Sequence, residues 1–229
     1  MASDNTIKRW LRIVWHCIAR FFCTIIVCSL YRVRAYGMKN VPKKGAVLVI
    51  CNHQSFLDPI LSQSWVVRNF HFVARDSLYK IKFFGALISS LYTIPIRRGQ
   101  ADVSAIKTII EKLKQGLPIC LYAESSRTPD GKIDDIKPGF SLLSRRSGAK
   151  VVPAVIEGAF EAWPRSRKFP KVSRVVVAYG EPYSPEQVKE LGDKEFARLL
   201  TGKLRQMQNQ LRVKLGREPF DYSIENQTI

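Results

Sequence analysis

Short apolar runs alternate along the chain with stretches whose apolar residues recur at helical spacing. The runs of strand length cover residues 45–52, 71–75, 93–98, 117–122, 151–156 and 172–180. Helical spacing is found over residues 56–67, 102–115 and 193–217. Because continuous apolar runs are typical of buried strands and the intervening helices must cover them, we predict an α/β fold with a single mixed sheet covered by helices on both faces.

Residues 10–31 are almost entirely apolar and precede this alternating pattern. The part without any charge, residues 21–31, has eleven residues and would cover about 16 Å of helix, roughly half of the ~30 Å hydrocarbon core. We therefore predict that residues 1–40 form an amphipathic helical segment lying in the membrane interface, ahead of a globular domain over residues 41–229. The alternative is an ordinary helix packed on that domain. Polar residues at intervals of four would form one narrow stripe on the helix: Lys8, Arg12, His16, Arg20 and Thr24.

The chain carries a large excess of positive charge. Its 37 Lys and Arg against 19 Asp and Glu give a net charge of +18, and residues 1–44 hold nine of the basic residues with a single acid, Asp4. Such an excess indicates an anionic partner: nucleic acid, an acidic membrane surface or a phosphorylated small molecule. A 46% hydrophobic composition excludes a disordered basic tail. Since no zinc-finger or RNP-like pattern is present, we expect membrane lipids of the anionic cytoplasmic leaflet, and no nucleic acid, as partners of a peripheral or monotopic protein.

The cysteines indicate a reducing compartment. Five are present, an odd number, and none belongs to a C-x-x-C pair. A disulfide framework or a zinc site is therefore not expected. We predict reduced, buried thiols, no metal and no cofactor.

A histidine and an aspartate follow the first strand of the predicted domain. Residues 51–58 read CNHQSFLD, so that His53 and Asp58 stand five residues apart. Loops after the strands of α/β sheets usually carry active sites. An aspartate bonded to one ring nitrogen leaves the other nitrogen free to take a proton, which is the arrangement of a general base. The alternative is a polar helix cap in which His53 is merely hydrogen-bonded.

A second polar segment, AESSRTPDGK over residues 123–132, follows the strand over residues 117–122. Its Pro-Asp-Gly marks a turn. Glu124 and Arg127 stand three residues apart and suit a hydroxyl-bearing, phosphorylated substrate, because Arg is the preferred partner of phosphate oxygens. A plain surface salt bridge is the alternative. Arg75 and Arg98 also fall at strand ends, so we expect these residues to converge on one edge of the sheet.

These segments resemble the motifs of the 1-acylglycerol-3-phosphate (lysophosphatidic acid) acyltransferase family, glycerolipid acyltransferases with an N-H-x-x-x-x-D motif. His53 and Asp58 match the first motif. Residues 75–99 match the second, residues 124–127 the third and residues 152–158 the fourth. Four ordered motifs at normal spacing make the resemblance specific.

The resemblance covers residues 45–182 and includes two departures. The family usually has Pro-Glu-Gly-Thr-Arg in the third motif, where this chain has Ser125 in place of the glycine. If that glycine adopts a positive φ in relatives, the loop around Ser125 must differ. Arg75 stands where the family usually has lysine, which keeps the charge but changes the geometry.

The resemblance implies an enzyme of phospholipid biosynthesis that moves a fatty acyl group from acyl-CoA or acyl carrier protein to the free hydroxyl of lysophosphatidic acid, giving phosphatidic acid. His53 would be the general base and Asp58 would fix its tautomer. The arginines of the site would neutralise the phosphate, and Glu124 would position glycerol hydroxyls. The substrate-binding residues implied are Arg75, Arg98, Glu124, Ser125, Ser126 and Arg127.

Other functions stay open at this point. The chain could acylate another lysolipid or glycerol 3-phosphate. A non-catalytic alternative is a basic module that binds membrane or nucleic acid through residues 165–174 and the C-terminal helix. Ser55 lies close to His53 in sequence, but it lacks the nucleophile-elbow context of a catalytic serine. The apolar stretch 83–96 is predicted either to line an acyl-chain groove or to pack in the core.

Overall fold

The computed structural model describes residues 2–80, 85, 88–89, 91–97, 102–122, 124 and 126–223, and within its first helix it describes the side chains except at residues 2–9, 12 and 16. The strands are β1 Arg34–Tyr36, β2 Val47–Cys51, β3 His71–Arg75, β4 Thr93–Ile96, β5 Pro118–Tyr122, β6 Lys150–Glu157 and β7 Val176–Tyr179. The helices are α1 Ala2–Leu30, α2 Asp58–Leu61, α3 Val103–Lys114, α4 Phe140–Ser147, α5 Ala159–Ala162, α6 Pro185–Leu191 and α7 Asp193–Lys214, and two 3-10 turns cover Met38–Asn40 and Asp76–Lys80.

The described strands form one seven-stranded sheet in the order β1-β7-β6-β2-β5-β3-β4. From β6 to β4 all neighbours are parallel. β7 is antiparallel to β6, and β1 is parallel to β7. The predicted single mixed sheet is therefore confirmed.

The core has one layer on each face of this sheet. In β2, which is buried along its whole length, Val47 and Val49 face one layer and Leu48 and Ile50 face the other. The end of α1, with α2 and α5, covers the first face, while α3, α4, α6 and α7 cover the second. Burial of each Leu or Ile side chain stabilises the fold by about 1.5–3 kcal/mol. Helices on both faces are therefore needed to exclude water from this central strand.

The register of the parallel strands determines which segments meet at the carboxyl edge of the sheet. Cys51 of β2 is paired with Tyr122 of β5, and Phe72 of β3 with Cys120 of β5. Parallel strands end at the same edge, where ligands bind in open α/β sheets. The loops that follow β2, β5 and β3 therefore emerge side by side, as the candidate motifs require.

α1 is attached to the domain through its C-terminal half. Val27 is buried against the first core layer. An Nη2 hydrogen of Arg20 is donated to the carbonyl of Gln63 at 2.8 Å, and the same guanidinium bonds the Asn69 side chain and the Val66 carbonyl. The polar stripe predicted from the sequence thus faces the domain at Arg20. At this residue the helix packs on the domain, which was the alternative to a helix lying wholly in the membrane interface.

The outward face of α1 is apolar and exposed. The 18-residue window Ile13–Leu30 has a mean hydropathy of 1.9 and is 6% buried, so by length and composition it is able to cross a membrane. This window is longer than the charge-free segment because it includes Arg20. The exposed large apolar residues of the helix are Trp10, Leu11, Val14, Trp15, Ile18, Phe21, Phe22, Ile25, Ile26 and Leu30. Such a large apolar patch marks a contact surface rather than ordinary solvent exposure.

β1 joins the sheet from within the segment predicted to associate with the membrane. Arg34–Tyr36 pairs with β7 in parallel register, and the Val175 amide donates to the carbonyl of Tyr31 at 3.1 Å. The helix therefore leads directly into an edge strand. The division at residue 40 stays a prediction.

Two local predictions are wrong. The helix expected over residues 56–67 is α-helical only at Asp58–Leu61. Beyond it the chain forms tighter turns, in which Ser64 and Val66 donate to carbonyls three residues back, and the carbonyls of Gln63 and Val66 are occupied by Arg20. The helix therefore ends at Leu61, and carbonyls of the turns that follow bond a side chain from another element.

The second wrong prediction is the burial of all five cysteine thiols. All five cysteines are free, and Cys51 and Cys120 are buried in neighbouring strands, as predicted. Cys17 and Cys23 are exposed, because they lie on parts of α1 that no described element covers. Burial of these two was wrongly predicted.

We expect Gly158, which follows β6, to be more sensitive to a side chain than Gly148, a left-handed glycine in open space. It has φ +94°, and an added Cβ would lie 2.1 Å from the Arg174 carbonyl oxygen, whereas a Cβ at Gly148 (φ +73°) would meet no atom within 4 Å. Gly148→Ala should cost about 1–2 kcal/mol of unfolding free energy from backbone strain, and Gly158→Ala about 1–3 kcal/mol more from overpacking. Chemical denaturation of both variants in one detergent measures the difference, and equal losses would contradict the proposed clash.

Candidate active site

The side chain of Asn52 extends the pairing of β2 beyond its last residue. Its Nδ2 donates to the Ile156 carbonyl at 2.9 Å, and its Oδ1 accepts from the Ile156 amide at 2.8 Å. The side-chain amide thus takes the place of a peptide group beside β6 while the main chain turns away. His53 consequently begins its loop at a defined point of the carboxyl edge.

Asp58 organises this loop through a single oxygen atom. Its Oδ2 accepts from the backbone amides of Gln54 at 2.7 Å and Ser55 at 2.8 Å, and it lies 2.7 Å from Nδ1 of His53. The Asp58 side chain is fully buried. Since this oxygen is an acceptor, Nδ1 is the donor, and a neutral imidazole then carries its lone pair on Nε2.

Tyr122, the last residue of β5, fixes the plane of the His53 ring. The two rings are stacked, with centroids 4.2 Å apart and planes inclined by 16°. On its other side Tyr122 stacks with Phe72, and its hydroxyl lies 3.4 Å from Oγ of Ser62. Tyr122 and Asp58 therefore orient the His53 ring. Since 17% of the His53 side chain remains exposed, a substrate can still reach it.

The segment after β5 is hydrogen-bonded directly to His53. Oε1 of Glu124 accepts from the His53 amide at 2.9 Å, and the Thr128 amide donates to the His53 carbonyl at 2.9 Å. Oε2 of Glu124 accepts from the Asp134 amide at 3.4 Å. Burial raises the pKa of Glu124 to about 8, although both amide hydrogen bonds act to lower it. Glu124 therefore holds the two loops together, a role that the sequence did not predict.

Arg127 lies over an aromatic residue of the His53 loop. Its Cζ is 3.6 Å from the centroid of the Phe56 ring, a cation–π contact. The Phe56 ring in turn contacts Trp163, with centroids 5.0 Å apart. Arg127 is thus positioned next to the N-H-x-x-x-x-D segment, as convergence at one edge predicted.

For the other predicted binding residues that it describes, the structure gives no direct contact with the loop that carries His53. Arg75 ends β3 opposite Ile96 of β4 and is exposed, so it stands at the same edge of the sheet. Ser126 is also exposed. Arg98 and Ser125 lie outside the described residues, as do five of the fourteen residues of the stretch 83–96 predicted as an acyl-chain groove.

A buried polar network connects α7 to the loop that carries His53. Nε2 of Gln54 donates to Oε2 of Glu157 at 3.1 Å and to the Gly131 carbonyl at 3.0 Å. Nε2 of Gln208 donates to the same two acceptors, and Arg212 pairs with Glu157 at 2.9 Å. Burial raises the pKa of the Glu157 carboxyl, whereas Gln208 and Arg212 oppose the shift. Gln54, which neighbours His53, is therefore fixed by residues more than seventy positions away.

Sequence reasoning missed the residues that support the site. Tyr122 and Phe56 were grouped with the apolar positions of a strand and a helix, and no spacing rule pointed to their ring contacts. Glu157 did carry a signal, since it is an acid directly after the apolar run 151–156. Its partners on α7 could not be inferred, because those contacts join segments distant in the chain.

The arrangement is suited to removing a proton from a hydroxyl group. An oriented imidazole with a free Nε2, next to a cationic side chain, can act as a general base on an anionic substrate. Ser55 is engaged elsewhere, since its hydroxyl donates to the Trp163 carbonyl at 2.9 Å. Within the described part of the chain, no cluster of three or more His, Cys, Asp or Glu side chains could hold a metal ion.

Comparison with known proteins identifies relatives of this chain. A family model described as acyltransferase matches residues 32–157. The chain is 28% identical over 152 residues to the chloroplastic 1-acyl-sn-glycerol-3-phosphate acyltransferase of Arabidopsis thaliana, a match covering 65% of this chain and 42% of that protein. It is 26% identical over 185 residues to the 1-acyl-sn-glycerol-3-phosphate acyltransferase of Bacillus subtilis, a match covering 80% and 89%.

A solved structure shares the fold. The 1-acyl-sn-glycerophosphate acyltransferase PlsC from Thermotoga maritima superposes with a TM-score of 0.71 at 23% identity, covering 90% of this chain and 89% of that one. This likeness confirms the α/β architecture. The match to the Arabidopsis relative and to a Brassica napus relative spans less than half of their lengths.

We expect Glu124→Gln to change how stability depends on pH. In the folded protein Glu124 keeps its proton up to about pH 8, whereas the unfolded carboxyl loses it near pH 4.5. Folding therefore takes up a proton between these values, and the wild type loses stability there as pH rises, by on the order of 1 kcal/mol per pH unit. The variant lacks this loss and should gain relative stability from pH 5 to pH 8.

Denaturation at several pH values measures this slope. Glu195→Gln is the matched control, since Arg198 lowers the pKa of that exposed carboxyl and it exchanges no proton on folding above pH 5. Parallel stability curves for Glu124→Gln and the wild type would show that Glu124 does not retain its proton.

Proposed function

This chain belongs to the acyltransferase family, and from that premise we propose that it transfers a fatty acyl group from an acyl thioester to the free hydroxyl of 1-acylglycerol 3-phosphate, giving phosphatidic acid. The observation that carries the proposal is the His53 ring held by Asp58 at 2.7 Å through Nδ1, beside Arg127 at the carboxyl edge of the sheet. The names of the Arabidopsis and Bacillus relatives support this acceptor.

His53 would start the reaction by accepting the proton of the acceptor hydroxyl on Nε2. As that proton leaves, the hydroxyl oxygen attacks the thioester carbonyl, and a C–O bond forms while the C–S bond breaks. The imidazolium returns the proton to the departing thiolate, so that no acyl-enzyme forms and charge is balanced. Asp58 stabilises the imidazolium by accepting its Nδ1 proton in a hydrogen bond. Acyl-CoA and acyl carrier protein both fit the role of donor.

The phosphate of the acceptor would bind to the arginines at the same edge. Arg127 is held over Phe56, which limits its rotamers, and a guanidinium is well suited to bind phosphate oxygens. Arg75 is placed at the end of β3, and Arg98 is predicted to join them. Holding the phosphate in place brings the neighbouring hydroxyl to the base, and this proximity supplies much of the rate.

The protein is proposed to associate with the cytoplasmic face of a membrane through α1. The exposed apolar face of this helix offers the contact that lipid requires. Positive charge in residues 1–44 favours an anionic leaflet. A lipid acceptor resides in that layer, so association would bring enzyme and substrate together.

We predict that His53→Gln and Asp58→Asn lower the rate of acyl transfer to lysophosphatidic acid roughly 100- to 10,000-fold, since both remove general-base catalysis. Transfer from acyl-CoA in mixed micelles is the measurement. The control is His71→Gln, which should keep most of the activity. His71 is the first residue of β3 and lies at the end of the strand away from the carboxyl edge of the sheet. Unchanged transfer in the first two variants would exclude the proposed base.

Arg127→Ala should raise the KM for lysophosphatidic acid about tenfold or more, because a charge-assisted contact to phosphate is lost. With a neutral acceptor, 1-acylglycerol, the same variant should change KM little. Arg198→Ala, an exposed arginine paired with Glu195 on α7, serves as the control. Equal effects on both acceptors would show that Arg127 does not bind the phosphate and would favour a different acceptor.

A further inference from the structure

Residues 164–174, here called the basic loop, combine positive charge with exposed apolar side chains. The segment contains five Lys or Arg and no acid. Phe169 is 69% exposed and Val172 73% exposed. The basic residues are Arg165, Arg167, Lys168, Lys171 and Arg174. A solvated loop has no need of a large exposed aromatic residue among its cations, so this composition indicates a contact surface.

The shape of the basic loop is maintained by hydrogen bonds to α5. The Lys171 amide donates to the Ala162 carbonyl at 2.7 Å. Nε1 of Trp163 donates to the Arg167 carbonyl at 3.2 Å, and the Arg167 guanidinium donates to the Glu161 carbonyl at 2.8 Å. These hydrogen bonds hold the loop in an ordered turn in which the Phe169 side chain points outward and stays exposed.

The basic loop lies between the loop that carries His53 and the end of α1. Trp163, directly before it, contacts Phe56 and accepts from the Ser55 hydroxyl through its carbonyl. Directly after it, Val175 is hydrogen-bonded to Tyr31, where α1 ends, and to Arg34 of β1. The loop thus joins the exposed apolar helix to the mouth of the site.

We propose that the basic loop is a second membrane contact, which inserts Phe169 and Val172 among the headgroups of an anionic bilayer and turns the His53 site toward the lipid surface. The inference rests on the proposed function, since a lipid substrate gives this orientation its purpose. An aromatic side chain and an aliphatic one beside cations match a lipid interface. Recognition of single-stranded nucleic acid would instead use stacked aromatic platforms.

Each cation near an anionic leaflet multiplies membrane affinity roughly fivefold. Lys168 and Lys171 are both exposed, and the Lys168 ammonium lies 5.6 Å from the Phe169 ring. Removing both charges should therefore reduce the preference for anionic over neutral vesicles by at least about fivefold. Binding to neutral vesicles through α1 should persist.

The test compares two variants of the full chain that have matched changes. The loop variant is Lys168→Gln/Phe169→Ser/Lys171→Gln/Val172→Ser. The control variant, Val103→Ser/Lys107→Gln/Lys114→Gln/Val213→Ser, removes two lysines and two exposed valines from α3 and α7, on the opposite face of the sheet. Partitioning is measured by flotation with phosphatidylcholine vesicles with and without phosphatidylglycerol.

Acyl transfer is measured in parallel with two acceptors, long-chain lysophosphatidic acid in the anionic vesicles and a short-chain form that is monomeric in solution. For the loop variant we expect the anionic-to-neutral partition ratio to fall at least fivefold, vesicle activity to fall with it, and activity on the monomeric acceptor to stay within twofold of the wild type. The control variant should match the wild type in all three. Lys168→Gln/Lys171→Gln, which keeps both apolar residues, should lower the partition ratio to a similar extent, because the ratio depends on the two charges.

Four results would overturn the proposal or separate it from the proposed function. An unchanged partition ratio in the loop variant, or an equal fall in the control variant, would exclude the loop as a membrane contact. Loss of binding to a single-stranded RNA homopolymer with unchanged vesicle binding would assign the loop to nucleic acid. A wild type without transfer to either acceptor would exclude the enzymatic function, while a fall of the partition ratio would still support the membrane contact.

Discussion

One carboxylate oxygen determines the geometry of the candidate active site. Oδ2 of Asp58 accepts from two successive backbone amides and from the imidazole of His53, all in a fully buried position. The amides orient the carboxylate, and the carboxylate orients the ring, so the tautomer that leaves Nε2 free follows from hydrogen-bond geometry alone. Charge-assisted bonds of this kind are roughly twice as strong as neutral ones. Loss of Asp58 would release the loop as well as the base.

The rest of the molecule supports that oxygen from three directions. Asn52 fixes the start of the loop on β6, and Glu124 joins it to the segment after β5. From behind, the Glu157 network connects Gln54 with α7. Each of these contacts satisfies a buried polar group that would otherwise be costly, which explains why polar side chains lie in an otherwise apolar sheet. The loop that carries His53 is therefore fixed from three sides, while part of the His53 side chain remains exposed.

Much of the fold was predictable because its signals are local. Continuous apolar runs identified six of the strands, and helical spacing identified α3 and α7. The three-residue strand β1 and the helix α6 were missed, since β1 is too short for a periodic pattern and α6 has one buried residue, Val188. The helix expected over residues 56–67 was too long, since the chain after Leu61 forms turns whose carbonyls bond Arg20 of α1. Patterns within one segment do not report bonds from another.

The sequence by itself determined the class of fold, the chemical types present at the site and the spacing that lets Asp58 reach His53. These depend on neighbours within a few residues, whose geometry is limited by the backbone. Only the tertiary structure decided that Tyr122 stacks on the base, that Phe56 holds Arg127, and that the basic loop stands between α1 and the site. Those contacts arise when strands distant in the chain are brought into register, and burial then makes each pairing specific.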